Sequence, residues 1–182
     1  KYNFDGKLVS RELDGSINST TYGESIKRSK KLANALTKIG VNAHDRVATI
    51  AWNNSRHFET YFAVSGMGAI LHTLNPRYSP DQLIYILNHA EDGVLIVDPT
   101  FIPLVESVQD KLDTVKTIII ASSKDGIPEN NLENALSYDE LIQDESDEYD
   151  WPELSEDDAV ALCYTSGTTG NPKGVLYSHR ST

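Results

Sequence analysis

Residues 46–75 read RVATIAWNNSRHFETYFAVSGMGAILHTLN, and this stretch decides the fold because it joins two strands through a helix. Residues 46–52 and 69–75 are short apolar runs typical of strands, whereas residues 55–67 suit a buried helix. A strand, a helix and a second strand in this order predict a βαβ unit.

The same alternation continues along the chain. Strands are predicted at residues 94–98 (VLIVD) and 115–122 (VKTIIIAS), with a helix over residues 100–112 between them. A last pair of strands is predicted at residues 158–164 and 174–179. Repeated strands separated by helices predict an α/β fold, in which a mostly parallel sheet is flanked by helices.

Two further helices have recognisable start signals. Thr21-Tyr-Gly-Glu24 fits a capping box, and the helix that it begins is predicted to end at Gly40. Ser79-Pro80-Asp81-Gln82 combines an N-cap, a proline at the first helical position and a second capping box, so a helix is expected to about His89.

The chain is predicted to fall into four segments. Residues 1–18 are expected to be a loosely ordered lead-in, and residues 19–138 a βαβ N-terminal subdomain. Residues 139–157 are predicted to be an acidic, solvated and mobile connector. A short helix over residues 137–142 is predicted where this connector begins. Residues 158–182 then form a truncated strand–loop–strand region.

Composition and charge exclude several classes of function. The net charge of −11 comes from the segment 139–158, which holds eleven acidic residues and no Lys or Arg, so the rest is balanced at 16 against 16. No basic stripe is visible, and nucleic-acid binding is therefore not expected. No apolar run approaches the roughly 20 residues that cross a bilayer, and the first residues lack a signal-peptide core.

The single cysteine, Cys163, cannot form an internal disulfide and stands among apolar neighbours, which favours a buried strand residue. We expect a cytoplasmic protein without a transmembrane segment, with peripheral association to a membrane left open. His57, His72 and His89 are predicted to be framework residues, and Trp52, Tyr61 and Phe62 to belong to the core.

Residues 164–179 read YTSGTTGNPKGVLYSH and hold the clearest chemical signal. Glycine lets main-chain amides approach a ligand without an obstructing Cβ, and successive amides can bind an anion. The hydroxyls can donate to phosphate oxygens or bind a hard cation, and the lysine supplies a positive charge on a long side chain. The loop residues with this chemistry are Thr165, Ser166, Gly167, Thr168, Thr169, Gly170 and Lys173.

Three other kinds of loop fit this sequence to different degrees. It is not a Walker A loop, because Pro172 takes the place of the second glycine and Gly174 follows the lysine. The Gly167-Thr-Thr-Gly170 spacing lacks the basic surroundings of an RNA-binding KH domain. The remaining alternative is a surface loop whose small residues bind nothing.

YTSGTTGNPKGV (164–175) resembles the phosphate-binding loop of the adenylate-forming synthetases, which include acyl-CoA synthetases, luciferases and the adenylation domains of peptide synthetases. The segments 21–24, 40–77 and 82–98 are similar to the opening subdomain of these enzymes, in the same order. LHTLNPR (71–77) and LYSHRST (176–182) resemble most closely the medium- and long-chain fatty acyl-CoA ligases of bacteria.

The resemblance implies a two-step reaction. A fatty acid or another carboxylic acid attacks the α-phosphate of ATP, and the thiol of CoA then displaces AMP from the acyl-adenylate. It implies that the loop contacts the β- and γ-phosphates: Thr168 and Thr169 through hydroxyls, Gly167 and Gly170 through amides, and Lys173 by balancing charge. Thr165 matches a position that helps to hold Mg²⁺.

The resemblance also implies that much of the enzyme lies beyond residue 182, including the adenine pocket, the acyl tunnel and the lysine that acts in adenylation. We therefore expect no catalytic residue in this fragment and no ligase activity from it alone. Two alternatives stay open at this point: an adenylating enzyme with another acceptor, such as a carrier protein or luciferase-like oxygen chemistry, and an N-terminal module that forms a homodimer.

Overall fold

The predicted alternation of strands and helices is present in the structure, a computed structural model that describes residues 4–12, 15–165 and 170–182. Nine strands and five α-helices occur in this part of the chain. In chain order they are β1 Lys7–Arg11, β2 Ile17–Thr21, α1 Tyr22–Lys38, β3 Arg46–Ile50, α2 Ser55–Gly66, β4 Ile70–Thr73, α3 Pro80–Ala90, β5 Val94–Val97, α4 Ile102–Glu106, β6 Thr117–Ile120, β7 Ala135–Ser137, α5 Tyr138–Gln143, β8 Ala159–Thr165 and β9 Lys173–Ser178.

One seven-stranded sheet organises the molecule, with the strand order β7-β6-β5-β3-β4-β8-β9. Every neighbouring pair is parallel except β8 and β9, which run antiparallel. The prediction of an α/β fold with a mostly parallel, helix-flanked sheet is confirmed.

Helices cover both faces of this sheet and form two apolar cores. Strand side chains alternate between the faces: Val47 and Leu71 pack with α1 and α2, whereas Ala48 and Leu95 pack with α3 and α4. From β3 to β4 the chain moves toward one edge of the sheet, and from β4 to β5 it moves toward the opposite edge. Because crossovers between parallel strands are right-handed, opposite directions place α2 and α3 on opposite faces.

The two predicted helix starts are confirmed, and the second of them forms the full capping box. Thr21 is the N-cap of α1, and its Oγ1 accepts a hydrogen bond of 3.1 Å from the Glu24 amide. Ser79 and Gln82 form the reciprocal capping box of α3.

The loose order expected for residues 1–18 is wrong for most of the described part, because β1 and β2 pair in an antiparallel hairpin. Gly15, between the two strands, has φ +86. Two hydrogen bonds join the hairpin to α1 and α2. The Tyr22 amide donates to the Gly6 carbonyl, and Asn18 Nδ2 donates to Ser55 Oγ at 3.2 Å. These contacts to distant residues order the segment, and its local sequence does not reveal them.

The helix predicted over residues 100–112 is interrupted. It consists of a 3₁₀ turn over Pro99–Phe101, the short helix α4, and a second 3₁₀ turn over Gln109–Lys111. Ser107 ends α4, and Val108, with φ −127, leaves the helical region to place its side chain in the core. Burial of Val108 therefore takes precedence over continuation of the helix.

Three aromatic residues that were predicted to be core lie largely at the surface. Trp52 is 48% exposed, Tyr61 43% and Phe62 54%. On α2 the buried positions are taken by smaller residues such as Ala63 and Val64, because α1 and α2 pack closely against each other.

The acidic segment 139–157 is held against α1, in contrast to the mobile connector expected. Asn34 Nδ2 donates to the carbonyls of Ser146 and Glu148 at 2.9 Å, and Lys38 Nζ lies 2.8 Å from Glu145 Oε1. Gly66 allows the ring of Trp151 to approach, since a Cβ there would lie 2.7 Å from it. The positive charges of α1 explain why this acidic run stays near the helix. The division into four segments remains a prediction.

Candidate functional site

The end of the β8–β9 ribbon carries the predicted site residues that the structure describes. Thr165 is the last residue of β8 and is paired with Lys173, the first residue of β9. Both are exposed, as is Gly170, which has φ +95. The structure thus brings a hydroxyl and an ammonium group to the same open end of the ribbon.

The other four predicted residues, Ser166, Gly167, Thr168 and Thr169, lie outside the described residues. Their expected contacts to phosphate therefore remain predictions.

The ribbon ends at the edge of the sheet that is favoured for ligand binding. Because β3, β4, β5 and β8 are parallel, Thr165 lies at the edge where all four strands have their carboxyl ends. The order of the strands reverses at β3, with β4 on one side and β5 on the other. In open α/β sheets, ligands bind outside the carboxyl ends of the strands near such a reversal.

Tyr164, directly before the loop, is fixed at both its main chain and its side chain. The hydroxyl of Tyr78 donates to the Tyr164 carbonyl at 2.9 Å, and His89 Nδ1 lies 2.6 Å from the Tyr164 hydroxyl. The sequence analysis did not identify Tyr78, His89 or Tyr164 as part of the site. The only signal was that Tyr164 opens the loop motif.

Gly174 is required by the ring of Tyr164. The two residues are paired across the ribbon, and a Cβ on Gly174 would lie 3.1 Å from Cζ of Tyr164 and 3.2 Å from Cδ1 of Leu162. Such distances are tighter than ordinary van der Waals contact, so glycine at this position lets the aromatic ring cross onto β9.

A buried histidine–aspartate pair lies beneath this ring. His72 Nδ1 and Asp92 Oδ2 are 2.7 Å apart, both side chains are 0% exposed, and the rings of His72 and Tyr164 are 5.2 Å apart. Burial raises the pKa of Asp92, and the hydrogen bond to His72 opposes this shift. His72 therefore lies within the protein framework, as predicted.

The remaining strong charge cluster joins the helices on the other face of the sheet. Glu59 Oε1 lies 2.9 Å from Arg28, and Asp139 lies within 2.8 Å of both Arg28 and Arg56. Burial raises the pKa of Glu59, counteracted by Arg28. Although burial opposes it, the hydrogen bonds from Arg56 and Arg28 lower the pKa of Asp139. This cluster joins α1, α2 and α5, and its paired charges stabilise their packing.

Metal-ligating groups are sparse in the parts of the chain that the structure describes. Those residues contain no group of three or more His, Cys, Asp or Glu that could hold a metal ion. Thr165 offers one exposed hydroxyl, an oxygen ligand of the kind that Mg²⁺ accepts alongside water and phosphate oxygens. Within residues 4–12, 15–165 and 170–182, no helix is long and apolar enough to span a membrane.

Comparisons with known proteins show what the chain is similar to. The family described as AMP-binding enzyme matches residues 6–182. A 3-methylmercaptopropionyl-CoA ligase from Ruegeria lacuscaerulensis is 46% identical over 182 residues, which are 100% of this chain and 34% of that protein. A long-chain-fatty-acid–CoA ligase from Thermus thermophilus is 47% identical over 175 residues, 96% of this chain and 31% of that protein.

A solved structure shows the same likeness. The crystal structure of an anthranilate CoA ligase in complex with anthranoyl-AMP matches with a TM-score of 0.81 and 27% identity, over 90% of this chain and 30% of that one. The chain spans about a third of the length of the curated relatives that it matches.

Proposed function

Because the chain belongs to the AMP-binding enzyme family, we propose that the full-length protein is an acid–thiol ligase that activates a carboxylic acid with ATP and transfers it to CoA. The family assignment confirms the resemblance to adenylate-forming enzymes. Relatives of similar identity are named for CoA ligation, which favours CoA over a carrier protein or luciferase-like chemistry as the acceptor.

The observation that carries the proposal is the position of Thr165 and Lys173 at one open end of the ribbon, at the carboxyl edge of the sheet. Between them the sequence supplies Ser166, Gly167, Thr168, Thr169 and Gly170. In the proposed site these residues surround the β- and γ-phosphates of ATP, with Lys173 balancing the charge that collects on the leaving pyrophosphate.

Mg²⁺ fits this site as an ion that is bound by both the protein and the nucleotide. Thr165 would give it one oxygen, and the ion would neutralise charge on the triphosphate. Lys173 approaches the phosphates from the neighbouring strand. The proposed work of this part of the enzyme is therefore binding and positioning, and no residue of it is proposed to act as a catalytic acid or base.

The acid is proposed to be a medium- or long-chain fatty acid, on the resemblance of residues 71–77 and 176–182 to the bacterial ligases and on the Thermus thermophilus relative. These are framework residues and do not select a chain length. The Ruegeria lacuscaerulensis relative is named for a much shorter acid. A series of acids must therefore be tested.

ATP–pyrophosphate exchange by the full-length protein tests the proposal directly. We expect exchange that depends on a carboxylic acid and is lost in Lys173→Ala and in Thr168→Ala variants that still fold. Unchanged exchange in both variants would separate the chemistry from the loop. Formation of acyl-CoA on addition of CoA identifies the acceptor, whereas release of acyl-adenylate without thioester would favour another one.

Two further predictions accompany this proposal. Purified residues 1–182 alone are expected to form no acyl-CoA. A homodimer, the alternative role of this N-terminal part, predicts a concentration-dependent dimer of residues 1–182 in sedimentation, and a strict monomer at high concentration argues against it. A cytoplasmic location stays a prediction from composition.

A further inference from the structure

Tyr164 lies next to the end of β8, directly before Thr165, the last residue of that strand. Thr165 follows it and is exposed, and so is Lys173 on the opposite strand. The main-chain direction at Tyr164 therefore sets the position of Thr165 at the open end of the ribbon.

Tyr78 fixes that main-chain direction. Its hydroxyl donates to the carbonyl oxygen of Tyr164, which belongs to the peptide group that joins Tyr164 to Thr165. A peptide group is planar and rigid. A hydrogen bond to its oxygen therefore limits rotation about the main-chain bonds on either side of it, in Tyr164 and in Thr165. Tyr78 itself directly precedes Ser79, the N-cap of α3.

His89 holds the other end of Tyr164. It lies in the last turn of α3, and its Nδ1 is 2.6 Å from the Tyr164 hydroxyl. The ring between these two anchors lies over His72 on one strand and fills the space that Gly174 leaves on the other. Both ends of α3 therefore act on one residue, whose ring also contacts β9, the strand that carries Lys173.

We propose that Tyr164 is a positioning residue for the phosphate-binding loop and that Tyr78 and His89 act through it, so that α3 sets the geometry of the loop. The inference rests on the proposed function, because it assumes that the loop binds the phosphates of ATP. A residue with this role affects nucleotide binding without contacting the nucleotide.

Kinetics of the full-length protein separate positioning from general stability. Tyr78→Phe removes one hydroxyl and keeps the ring. Loss of one hydrogen bond predicts a roughly two- to tenfold higher KM for ATP in pyrophosphate exchange. We expect the melting temperature to stay within about 2 °C, since such a bond contributes little to the free energy of unfolding of a large protein.

Tyr85→Phe is the matched control. It makes the same chemical change within α3 and keeps the ring that stacks on His89, and within the described part of the chain the Tyr85 hydroxyl makes no hydrogen bond to Tyr164. We expect an unchanged KM for ATP. An equal rise in both variants, or no rise in Tyr78→Phe, would overturn the proposal.

A double-variant cycle tests whether His89 acts through Tyr164. His89→Ala and Tyr164→Phe remove the same hydrogen bond from opposite sides, so the double variant should raise KM no further than the stronger single one. Tyr78→Phe removes a different bond, and its effect should multiply with that of Tyr164→Phe. Full multiplication of the His89→Ala and Tyr164→Phe effects would show that His89 does not act through Tyr164.

Lys173→Ala, measured in parallel, keeps the two proposals distinguishable. If it lowers exchange while Tyr78→Phe and Tyr164→Phe leave KM for ATP unchanged, the positioning role is wrong and the function stands. If Lys173→Ala and Thr168→Ala both leave exchange unchanged, the assigned function of the loop fails, and the positioning role fails with it.

Discussion

The central strands and the β8–β9 ribbon belong to one sheet but are stabilised differently. Within residues 1–182, all residues of β5 and four of five in β3 are buried between helices on both faces, whereas five of six residues in β9 are exposed. The central strands are ordered by the apolar area that they remove from water. Within these 182 residues the ribbon is held by its own hydrogen bonds and by Tyr164, so small changes at a few residues should move its open end.

The largest effect is expected where these two regions meet, at the buried pair of His72 and Asp92. Asp92→Ala leaves a buried imidazole without its hydrogen-bond partner, which costs about 1–3 kcal/mol, and the cavity left by the shorter side chain adds to this loss. Asp92→Asn keeps an oxygen that can accept from His72 and should cost clearly less. Urea unfolding of residues 1–182 gives both free energies; equal losses for Ala and Asn would show that the hydrogen bond contributes nothing.

A large-to-small substitution in each region sharpens the comparison directly. Leu71 on β4 is 0% exposed and Leu176 on β9 is 59% exposed. Leu71→Ala should lower the free energy of unfolding by about 2–5 kcal/mol, because it leaves a cavity. Leu176→Ala should change it by less than about 0.5 kcal/mol. Similar losses in the two variants, measured by urea unfolding, would contradict the contrast between core and ribbon.

The charge cluster on the helices that cover the core gives a pH-dependent effect. The pKa of Asp139 is lower in the folded chain than its usual value of about 3.9. Its carboxylate therefore stabilises the fold at pH values above the unfolded pKa, and this contribution is lost as the pH falls through the folded pKa. The raised pKa of Glu59 acts in the opposite direction, because the folded chain binds that proton more tightly.

Comparison of the wild-type chain with Asp139→Asn isolates the Asp139 contribution, since Glu59 is present in both. The wild type should be more stable at pH 7, and the difference should shrink as the pH falls below about 4. Free energies of unfolding at several pH values measure this. A difference that stays constant down to acid pH would show that the charge on Asp139 is not responsible.

The sequence predicts the buried parts of this fold better than its surface. Apolar runs and capping boxes identify β3 to β6, α1 and α3, because burial and capping leave local patterns. The pairing of β1 with β2, the three-residue strand β7 and the docking of the acidic segment depend on contacts with distant residues. Local patterns do not record such contacts.

The candidate site divides in the same way. Thr165, Gly170 and Lys173 could be named from the glycine–threonine motif, because each residue type has its own phosphate chemistry. Tyr78 and His89 could not, since a tyrosine before a helix and a histidine near its end have many roles. Only the fold shows that both contact Tyr164.

A small stabilising effect is expected in the turn that leads into β3. His44 has φ +68, a left-handed conformation that glycine adopts without strain, and its side chain is exposed. His44→Gly should therefore raise the free energy of unfolding by up to about 1 kcal/mol, partly offset by the greater freedom of glycine in the unfolded chain. His44→Ala keeps the strain and serves as the control.

If stability is set in the central strands, hydrogen exchange there should slow in His44→Gly. Exchange at the exposed end of the ribbon, which opens locally, should stay unchanged. Equal slowing in both regions would show that the ribbon opens only when the core does.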